Sequence, residues 1–264
     1  MNAALSEPIV AVDVGNSRFK LGLFDAGASD CCPEPRSLLE FAPDGFDARQ
    51  ITDWLRKAGA ERVTWRIASV HRESSRRLEA WLDDERGGER RTQLKHTDLP
   101  LSVDVEHPER VGIDRLLAAV AVNAIRSPDR PAVVVDHGSA ITVDLVDADG
   151  TFRGGAILPG IGMSAHALDR LTDQLPLVDV RDLNAPDALG RSTEAAIRSG
   201  LFWGAVGAVG QLIDRLAERA AGDPQVIVTG GAGQRIAEAM GRETQFVPHL
   251  ILSGIVRSSP LGVR

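Results

Sequence analysis

The stretch that most constrains the fold is residues 132–160, which read AVVVDHGSAITVDLVDADGTFRGGAILPG. Two β-branched runs, residues 133–135 and 141–146, enclose a short polar sequence, and a third run follows an Asp-Gly pair at positions 149 and 150. Runs of β-branched residues separated by Gly and Asp are typical of strands joined by tight turns. The stretch therefore predicts strand, tight loop, strand, hairpin and strand in succession.

The polar sequence between the first two strands has the chemistry of a phosphate-binding loop. Gly138 lets the backbone turn tightly and point N–H groups at phosphate oxygens, and the hydroxyls of Ser139 and Thr142 are further hydrogen-bond donors. The Asp136 carboxylate would repel a bare triphosphate, so it fits this loop only with a cation between it and the ligand. The pattern therefore predicts a loop around a cation-bound phosphate.

The same pattern occurs near the N-terminus. Apolar runs at residues 8–14 and 18–24 flank Asp13-Val14-Gly15-Asn16-Ser17, and Asp13 precedes Asp136 by 123 residues (136 − 13), about half of the 264-residue chain. This spacing indicates a weak internal duplication with one phosphate loop in each half. Two such loops facing each other across a cleft would clamp the phosphates of ATP. A glycine-rich turn after the apolar run at residues 225–229 would let the backbone approach the nucleoside.

Two other nucleotide-binding patterns are excluded. The sequence has no G-x-x-x-x-G-K-[ST] motif, so it is not a P-loop protein. Gly231-Ala232-Gly233 follows a predicted strand, but Ile236 occupies the position of the third glycine of a dinucleotide fingerprint.

Strands alternate with helical segments along the whole chain, which predicts an α/β protein with two sheets. Residues 127–131 (SPDRP) predict the boundary between domains 1–128 and 129–264. Residues 25–46, rich in Pro, Gly, Asp and Ser, predict an irregular surface connection. Residues 193–219 predict a long helix whose glycines at 204, 207 and 210 favour close helix packing.

Composition limits the partners and the compartment. A net charge of −7 argues against a nucleic-acid surface, which needs clustered excess positive charge. The two cysteines, Cys31 and Cys32, are adjacent and cannot form a disulfide framework. The sequence shows no signal peptide and no apolar run of the roughly 20 residues that span a bilayer. We expect a cytoplasmic protein without nucleic-acid or membrane partners.

Several motifs in one order carry a resemblance to known proteins. DVGNS, then DHGSAITVD with GGAILPG, then VTGG resemble the actin-like ATPase superfamily of sugar kinases, acetate kinases and heat-shock ATPases. Gly112-Ile113-Asp114-Arg115 resembles the G-x-D-R motif of type III pantothenate kinases, and residues 190–193 (GRST) with Gly200 resemble that family's G-x-x-T…G segment. The resemblance extends from Asp13 to residues 252–254.

The resemblance implies two actin-like (ribonuclease H-like) α/β domains, each a mixed sheet flanked by helices, with an ATP cleft between them. It implies ATP-dependent phosphorylation of pantothenate, the first committed step toward coenzyme A, with Asp114 as general base. A helix N-terminus favours an ionised carboxylate at this position. Arg115 would hold the substrate carboxylate with its planar fork.

The resemblance also implies roles for further residues. The expected ATP and phosphate contacts are Asp13, Val14, Gly15, Asn16, Ser17, Arg18, Phe19, Lys20, Gly138, Ser139, Gly230 and Gly231. The expected pantothenate contacts are Gly112, Ile113, Asp114, Arg115 and Thr193. Asp13 would lie near Mg²⁺ through water, and Asp136 would help coordinate a monovalent cation, K⁺ or NH₄⁺. A homodimer is implied, with the glycine-containing helix as a candidate contact.

The sequence departs from the family at one place that bears on the substrate. The family often carries a tyrosine shortly before the proline that precedes G-x-D-R, whereas this chain has no tyrosine and Val105 lies near that position. Two other functions stay open: a kinase of another small hydroxy acid or sugar on the same fold, and a non-catalytic regulator. Retention of Asp13, Asp114 and Asp136 argues against the regulator.

Overall fold

The computed structural model describes residues 7–27 and 30–258, and the chain divides into two compact units. Unit 1 comprises Met1–Ser102, Glu106–Ile125 and His249–Arg264, and unit 2 comprises Val103–Val105 and Arg126–Pro248. The predicted division after residue 128 differs from this one in three respects. The chain passes to unit 2 after Ile125, Val103–Val105 also belong to unit 2, and the residues from His249 onward belong to unit 1.

Unit 1 contains a five-stranded sheet in the order β3-β2-β1-β4-β5. Its strands are β1 (Ile9–Val14), β2 (Phe19–Phe24), β3 (Ser37–Phe41), β4 (Thr64–Ser69) and β5 (Arg91–Gln93). The first three are antiparallel, and β4 and β5 continue the sheet parallel to β1. Strand β3 lies within the segment predicted to be irregular, where Phe41 stacks on Phe19 with ring centroids 4.8 Å apart. This contact between distant residues overrides the turn-rich composition of the segment.

Helices cover both faces of the unit 1 sheet. Helices α1 (Ala48–Lys57) and α2 (Arg72–Glu85) pack on the face that carries Val10 and Val12, where they form an apolar core. Helix α7 (Leu250–Arg257) packs against β1 and β4, and helix α3 (Ile113–Ile125) packs against α7. A Cβ atom at Gly254 would lie 2.1 Å from the Leu117 carbonyl oxygen, so only glycine permits this helix crossing.

Unit 2 repeats the strand topology of unit 1. Its strands are β6 (Ala132–His137), β7 (Ala140–Val146), β8 (Phe152–Pro159), β9 (Gln225–Thr229) and β10 (Gln245–Phe246), in the sheet order β10-β9-β6-β7-β8. Strands β6, β7 and β8 are antiparallel neighbours, β9 is parallel to β6, and β10 is parallel to β9. Strands β6–β10 thus correspond in order and direction to β1–β5. The predicted duplication and the predicted pair of mixed sheets are confirmed.

Unit 2 carries helices α4 (Ile161–Leu171), α5 (Thr193–Ala217) and α6 (Gly233–Ala239). Val209 and Ile213 of α5 join Val133 and Val135 in the core on one face of the sheet. Cβ atoms built at positions 200, 204, 207 and 210 of α5 would meet nothing within 4 Å. The close packing predicted for these glycines therefore does not form among the described residues of one chain.

Among the described helices, α5 alone has the length and apolar composition that could span a membrane, with a mean hydropathy of 1.2 over its most apolar window. A core helix of a soluble protein meets the same criterion. In the single chain, 33% of that window is buried. Helix α5 therefore keeps a large exposed face.

Candidate functional site

The first predicted phosphate loop joins β1 to β2 in unit 1. The Gly15 N–H donates to the Arg18 carbonyl at 2.9 Å and closes a tight turn. Asn16 and Ser17 are exposed on it. Asp13, only 7% exposed, pairs in register with Lys20 on the neighbouring strand, so both side chains lie on one face of the sheet. The loop thus presents exposed amide and hydroxyl groups, next to a buried carboxylate and an amine.

Two of the predicted phosphate contacts belong to the core. The side chains of Val14 and Phe19 are fully buried among apolar neighbours of unit 1. The Val14 carbonyl accepts a hydrogen bond from the Val70 N–H at 3.0 Å. Val14 and Phe19 can therefore serve a ligand only by shaping the backbone of the loop. Arg18 is exposed and forms an ion pair with Glu40 at 2.9 Å.

Lys20 has a neighbour that the sequence patterns did not suggest. His249 precedes α7 in the left-handed region, with a φ of 55°. Burial lowers the pKa of the His249 imidazole, and the nearby charge of Lys20 lowers it further. The imidazole is thus uncharged at neutral pH and adds no second positive charge beside Lys20.

The G-x-D-R motif places Asp114 in the first turn of α3. Its Oδ1 accepts a hydrogen bond from the Arg115 N–H at 2.9 Å. A Cβ atom at Gly112 would lie 2.4 Å from that same Oδ1. The glycine of the motif is therefore required by the position of the carboxylate, and both Asp114 and Arg115 are half-buried.

The second predicted phosphate loop in unit 2 is shorter than its sequence suggested. Strand β6 continues through His137, and Asp136 pairs in register with Thr142 on β7, so the loop is only Gly138-Ser139. The Gly138 N–H donates to the Ala140 carbonyl at 3.0 Å, and the Gly160 N–H donates to the Ser139 carbonyl at 3.0 Å. The loop is therefore fixed from two sides.

The glycine turn after β9 packs directly against Asp136. Gly230 has a φ of +91°, and a Cβ atom there would lie 2.5 Å from both Asp136 Oδ1 and the His137 carbonyl oxygen. Gly231 has open space around its Cβ position. Unit 2 thus brings together Asp136, Gly138, Ser139 and Gly230 at the ends of the parallel strands β6 and β9.

His137 and Thr193 of unit 2 have different surroundings. The His137 side chain is 4% exposed and lies on the core face of β6, because it alternates with Asp136 along the strand. Its Nε2 is buried without a hydrogen-bond partner, and burial lowers its pKa. Thr193 is exposed in the first turn of α5, directly after the N-cap Ser192.

The donor set around Asp136 fits a hard cation held mainly by ligand and water. Among the described residues, no group of three or more His, Cys, Asp or Glu side chains could hold a metal ion by itself. Asp136 offers one carboxylate beside hydroxyl and backbone oxygens, the donors that monovalent cations and Mg²⁺ take. The space that a Cβ at Gly230 would fill is a cradle next to that carboxylate.

Gly160, the last residue of the GGAILPG motif, belongs to this site although the sequence assigned it no role there. A Cβ atom at this position would lie 2.4 Å from the Ser139 carbonyl oxygen and 2.6 Å from that of Gly138. Gly160 is also the N-cap of α4. In the sequence, the Pro-Gly pair at positions 159 and 160 indicates that a strand ends there. It does not indicate that Gly160 contacts the loop at Gly138 and Ser139.

Solved structures share this architecture. A conserved putative Baf family transcriptional activator from Campylobacter jejuni superposes with a TM-score of 0.57 over 94% of this chain and 96% of that one, at 22% identity. A putative 2-dehydro-3-deoxygalactonokinase from Sinorhizobium meliloti gives 0.53 over 95% of each chain, at 14% identity. The (R)-2-hydroxyglutaryl-CoA dehydratase component A from Acidaminococcus fermentans gives 0.51, at 18% identity over 96% of each. These likenesses concern the fold alone, and the predicted α/β architecture of two mixed sheets flanked by helices is confirmed.

Sequence comparison narrows this class. The sequence profile of the type III pantothenate kinase family matches residues 9–215. The chain is 41% identical over 197 residues to a type III pantothenate kinase from Rhodopirellula baltica. This match covers 72% of this chain and 70% of the relative. Another from Solibacter usitatus is 28% identical over 94% of both. A third, from Paramagnetospirillum magneticum, is 43% identical over 60% of each. The chain belongs to the type III pantothenate kinase family.

Proposed function

We propose that the chain transfers the γ-phosphoryl group of ATP to the primary hydroxyl of pantothenate. The observation that carries this proposal is the family match over residues 9–215. That span includes both phosphate loops and the complete G-x-D-R motif. The product would be 4′-phosphopantothenate, which enters coenzyme A synthesis.

Asp114 acts as the general base in this proposal. The acceptor hydroxyl oxygen bonds to the γ-phosphorus, the bond from that phosphorus to the β–γ bridging oxygen breaks, and the hydroxyl proton passes to the Asp114 carboxylate. Because the transition state is loose, the carboxylate mainly orients the hydroxyl and takes the proton late. The hydrogen bond from the Arg115 N–H to Asp114 Oδ1 at 2.9 Å supports this role, since it orients the carboxylate.

Arg115 and Thr193 hold the rest of pantothenate in this proposal. The planar guanidinium of Arg115 can bind the pantothenate carboxylate with two parallel hydrogen bonds. Because Arg115 follows Asp114 directly in the first turn of α3, the two side chains start from one rigid element. Thr193 supplies a hydroxyl from the exposed start of α5.

The two loops hold the nucleotide. Backbone N–H groups, the side-chain amide of Asn16 and the hydroxyls of Ser17 and Ser139 donate hydrogen bonds to the phosphates, and the open turn at Gly231 approaches the nucleoside. Asp136 would hold a monovalent cation, and Asp13 would face Mg²⁺ through water. When bound, these cations neutralise charge on the phosphate oxygens.

Coupled measurement of ADP release tests the proposal. Wild-type protein with ATP, Mg²⁺, K⁺ and pantothenate should turn over, and Asp114→Asn should lose about 10²- to 10⁴-fold in kcat because the base is gone. Asp53→Asn, on an exposed face of α1 in the same unit, serves as the matched control and should keep wild-type kcat. No turnover by the wild type, or full turnover by Asp114→Asn, contradicts the proposal.

An acceptor panel separates pantothenate from other substrates. If Arg115 binds a carboxylate, pantothenol, which replaces the carboxylate with a hydroxymethyl group, should have a much lower kcat/KM than pantothenate. Arg115→Lys should reduce the difference in kcat/KM between pantothenate and pantothenol, because the lysine ammonium lacks the planar fork that binds a carboxylate. A sugar that outperforms pantothenate would instead favour a sugar kinase on this fold.

We also propose a homodimer that uses the exposed face of α5. The glycines at 200, 204 and 207 leave this face open, and Trp203 beside them is 37% exposed. Light scattering should give twice the mass of the chain, and Gly207→Glu should give a monomer, whereas Gly88→Glu at an open position of unit 1 should not. A monomeric wild type contradicts this part. The cytoplasmic location and the absence of nucleic-acid and membrane partners stay predictions from composition.

A further inference from the structure

A three-residue segment, Val103–Val105, docks onto the edge strand β8 of unit 2, and we call it the strap. Val103 forms a parallel β-bridge with Phe152, and the Asp104 N–H donates to the Phe152 carbonyl at 2.9 Å. A Cβ atom at Gly154 would lie 3.3 Å from Val105 Cγ1, so the valine covers this glycine. The residues on either side of the strap, in contrast, belong to unit 1.

One arginine secures the strap from β8. Arg153 pairs through Nη1 with Asp104, through Nε with Asp147 at 2.9 Å, and through Nη2 with Asp149 at 3.7 Å. Asp147 and Asp149 belong to the β7–β8 turn, which is ordered by its own hydrogen bond from the Thr151 N–H to Asp149 Oδ1 at 2.9 Å. The turn therefore holds the Arg153 guanidinium in an orientation in which it can pair with Asp104. A network of this kind holds more firmly than an isolated surface pair.

The segment that follows the strap has little support of its own. Residues 106–110 include the exposed side chains of Glu106, His107, Glu109 and Arg110. Its backbone bonds are local: the Arg110 N–H donates to the His107 carbonyl at 3.1 Å, and the Val111 N–H to the Pro108 carbonyl at 3.3 Å. Residues 106–112, which we call the acceptor loop, thus run from the strap at one end to the packed helix α3 at the other.

We propose that Arg153 is a positioning residue for the acceptor, which acts through Asp104 and the strap. By fixing the start of the acceptor loop, it restricts the conformations of the chain up to Gly112, which lies beside Asp114 Oδ1. Released from the strap, the loop samples conformations in which the base is displaced from the acceptor hydroxyl. This inference rests on the proposed function for its kinetic consequence, but not for its structural one.

Asp104→Ala is the sharpest variant. The Asp104 side chain is 69% exposed, so its removal should not affect folding, and Arg153 keeps Asp147 and Asp149. Arg153→Ala is less clean because it also leaves Asp147 without its cation, with one carboxylate oxygen already buried and without a hydrogen-bond partner. Arg130→Ala removes another surface ion pair of unit 2, with Asp223 at 2.8 Å, and serves as the matched control.

Two readouts decide the proposal. With saturating ATP, Asp104→Ala should lower kcat/KM for pantothenate about 10- to 100-fold, as expected for displaced groups, with KM for ATP unchanged. Arg153→Lys should recover part of the loss seen in Arg153→Ala, and the double variant Asp104→Ala/Arg153→Ala should be no worse than Arg153→Ala. Amide hydrogen exchange of residues 103–112 should become faster in Asp104→Ala and not in Arg130→Ala.

Unchanged exchange and unchanged kcat/KM in Asp104→Ala would overturn the proposal. A rise in KM for ATP in Asp104→Ala, as large as the fall in kcat/KM for pantothenate, would also overturn the proposal, because it would assign Arg153 a general structural role. If the wild type has no pantothenate kinase activity, the proposed function fails, while the exchange measurement still decides whether Asp104 and Arg153 order the acceptor loop.

Discussion

Gly112→Ala should separate the position of the Asp114 carboxylate from the stability of the fold. A Cβ atom at residue 112 would lie 2.4 Å from Asp114 Oδ1, and real Cβ atoms essentially never approach a neighbour within 3.0 Å. The two atoms must therefore separate by at least 0.6 Å (3.0 − 2.4), and we expect the carboxylate to move because it is the end of a flexible side chain. That displacement also disturbs its hydrogen bond with the Arg115 N–H.

The two expected effects have opposite signs. A misplacement approaching 1 Å at a reacting group costs about 10²-fold, so kcat/KM for pantothenate should fall about 10- to 100-fold, or about 1.4–2.8 kcal/mol of transition-state stabilisation. Stability should not fall, because the clash is with a mobile side chain and Gly112 is not among the glycines with positive φ. Alanine there should stabilise by about 0.4–1 kcal/mol through the unfolded chain.

Steady-state kinetics and urea unfolding on the same samples test both effects. Gly45→Ala is the control in unit 1, because a Cβ atom there meets nothing within 4 Å. It should leave kcat/KM unchanged. A Gly112→Ala variant with wild-type kcat/KM would refute the reasoning, since the carboxylate position would then not matter. Loss of activity together with loss of stability would also refute it.

Three further predictions test the packing around the site. Gly254→Ala should destabilise the protein by about 1–3 kcal/mol in urea unfolding, because its Cβ would overlap the Leu117 backbone and push α7 from α3; wild-type stability would contradict this packing. Gly230→Ala should cost about 1–3 kcal/mol and weaken the response of activity to K⁺, because it adds a positive-φ strain and a clash with Asp136; an unchanged K⁺ titration would argue against a cation there. Burial lowers the pKa of His249, so below about pH 6.5 the unfolded chain binds more protons than the folded chain. The free energy of unfolding should therefore decrease as the pH is lowered from about 6.5 to the pKa of the folded state. His249→Gln should flatten this slope, and NMR titration should give a pKa below that of a free histidine.

Local patterns in the sequence determined the main strands and the paired loops. The β-branched runs around Asp13 and Asp136 predicted β1, β2, β6 and β7, because side-chain alternation and turn chemistry act between near neighbours in the chain. Order and spacing of the motifs then predicted the duplication, which the matching sheet topologies confirm. The roles of Asp114, Arg115 and Thr193 came from the family motif and stay predictions.

Only the tertiary structure decided which distant segments meet. Strand β3 forms where Phe41 stacks on Phe19. The chain returns to unit 1 at His249, and the three residues of the strap belong to unit 2 although the residues on both sides of them belong to unit 1. The tertiary structure also shows why three of the glycines are needed: Gly112 makes room for a carboxylate, Gly254 for a helix and Gly160 for a loop backbone. A sequence shows that a glycine is present, but the atom that would collide with its missing Cβ belongs to a contact that exists only in the folded chain.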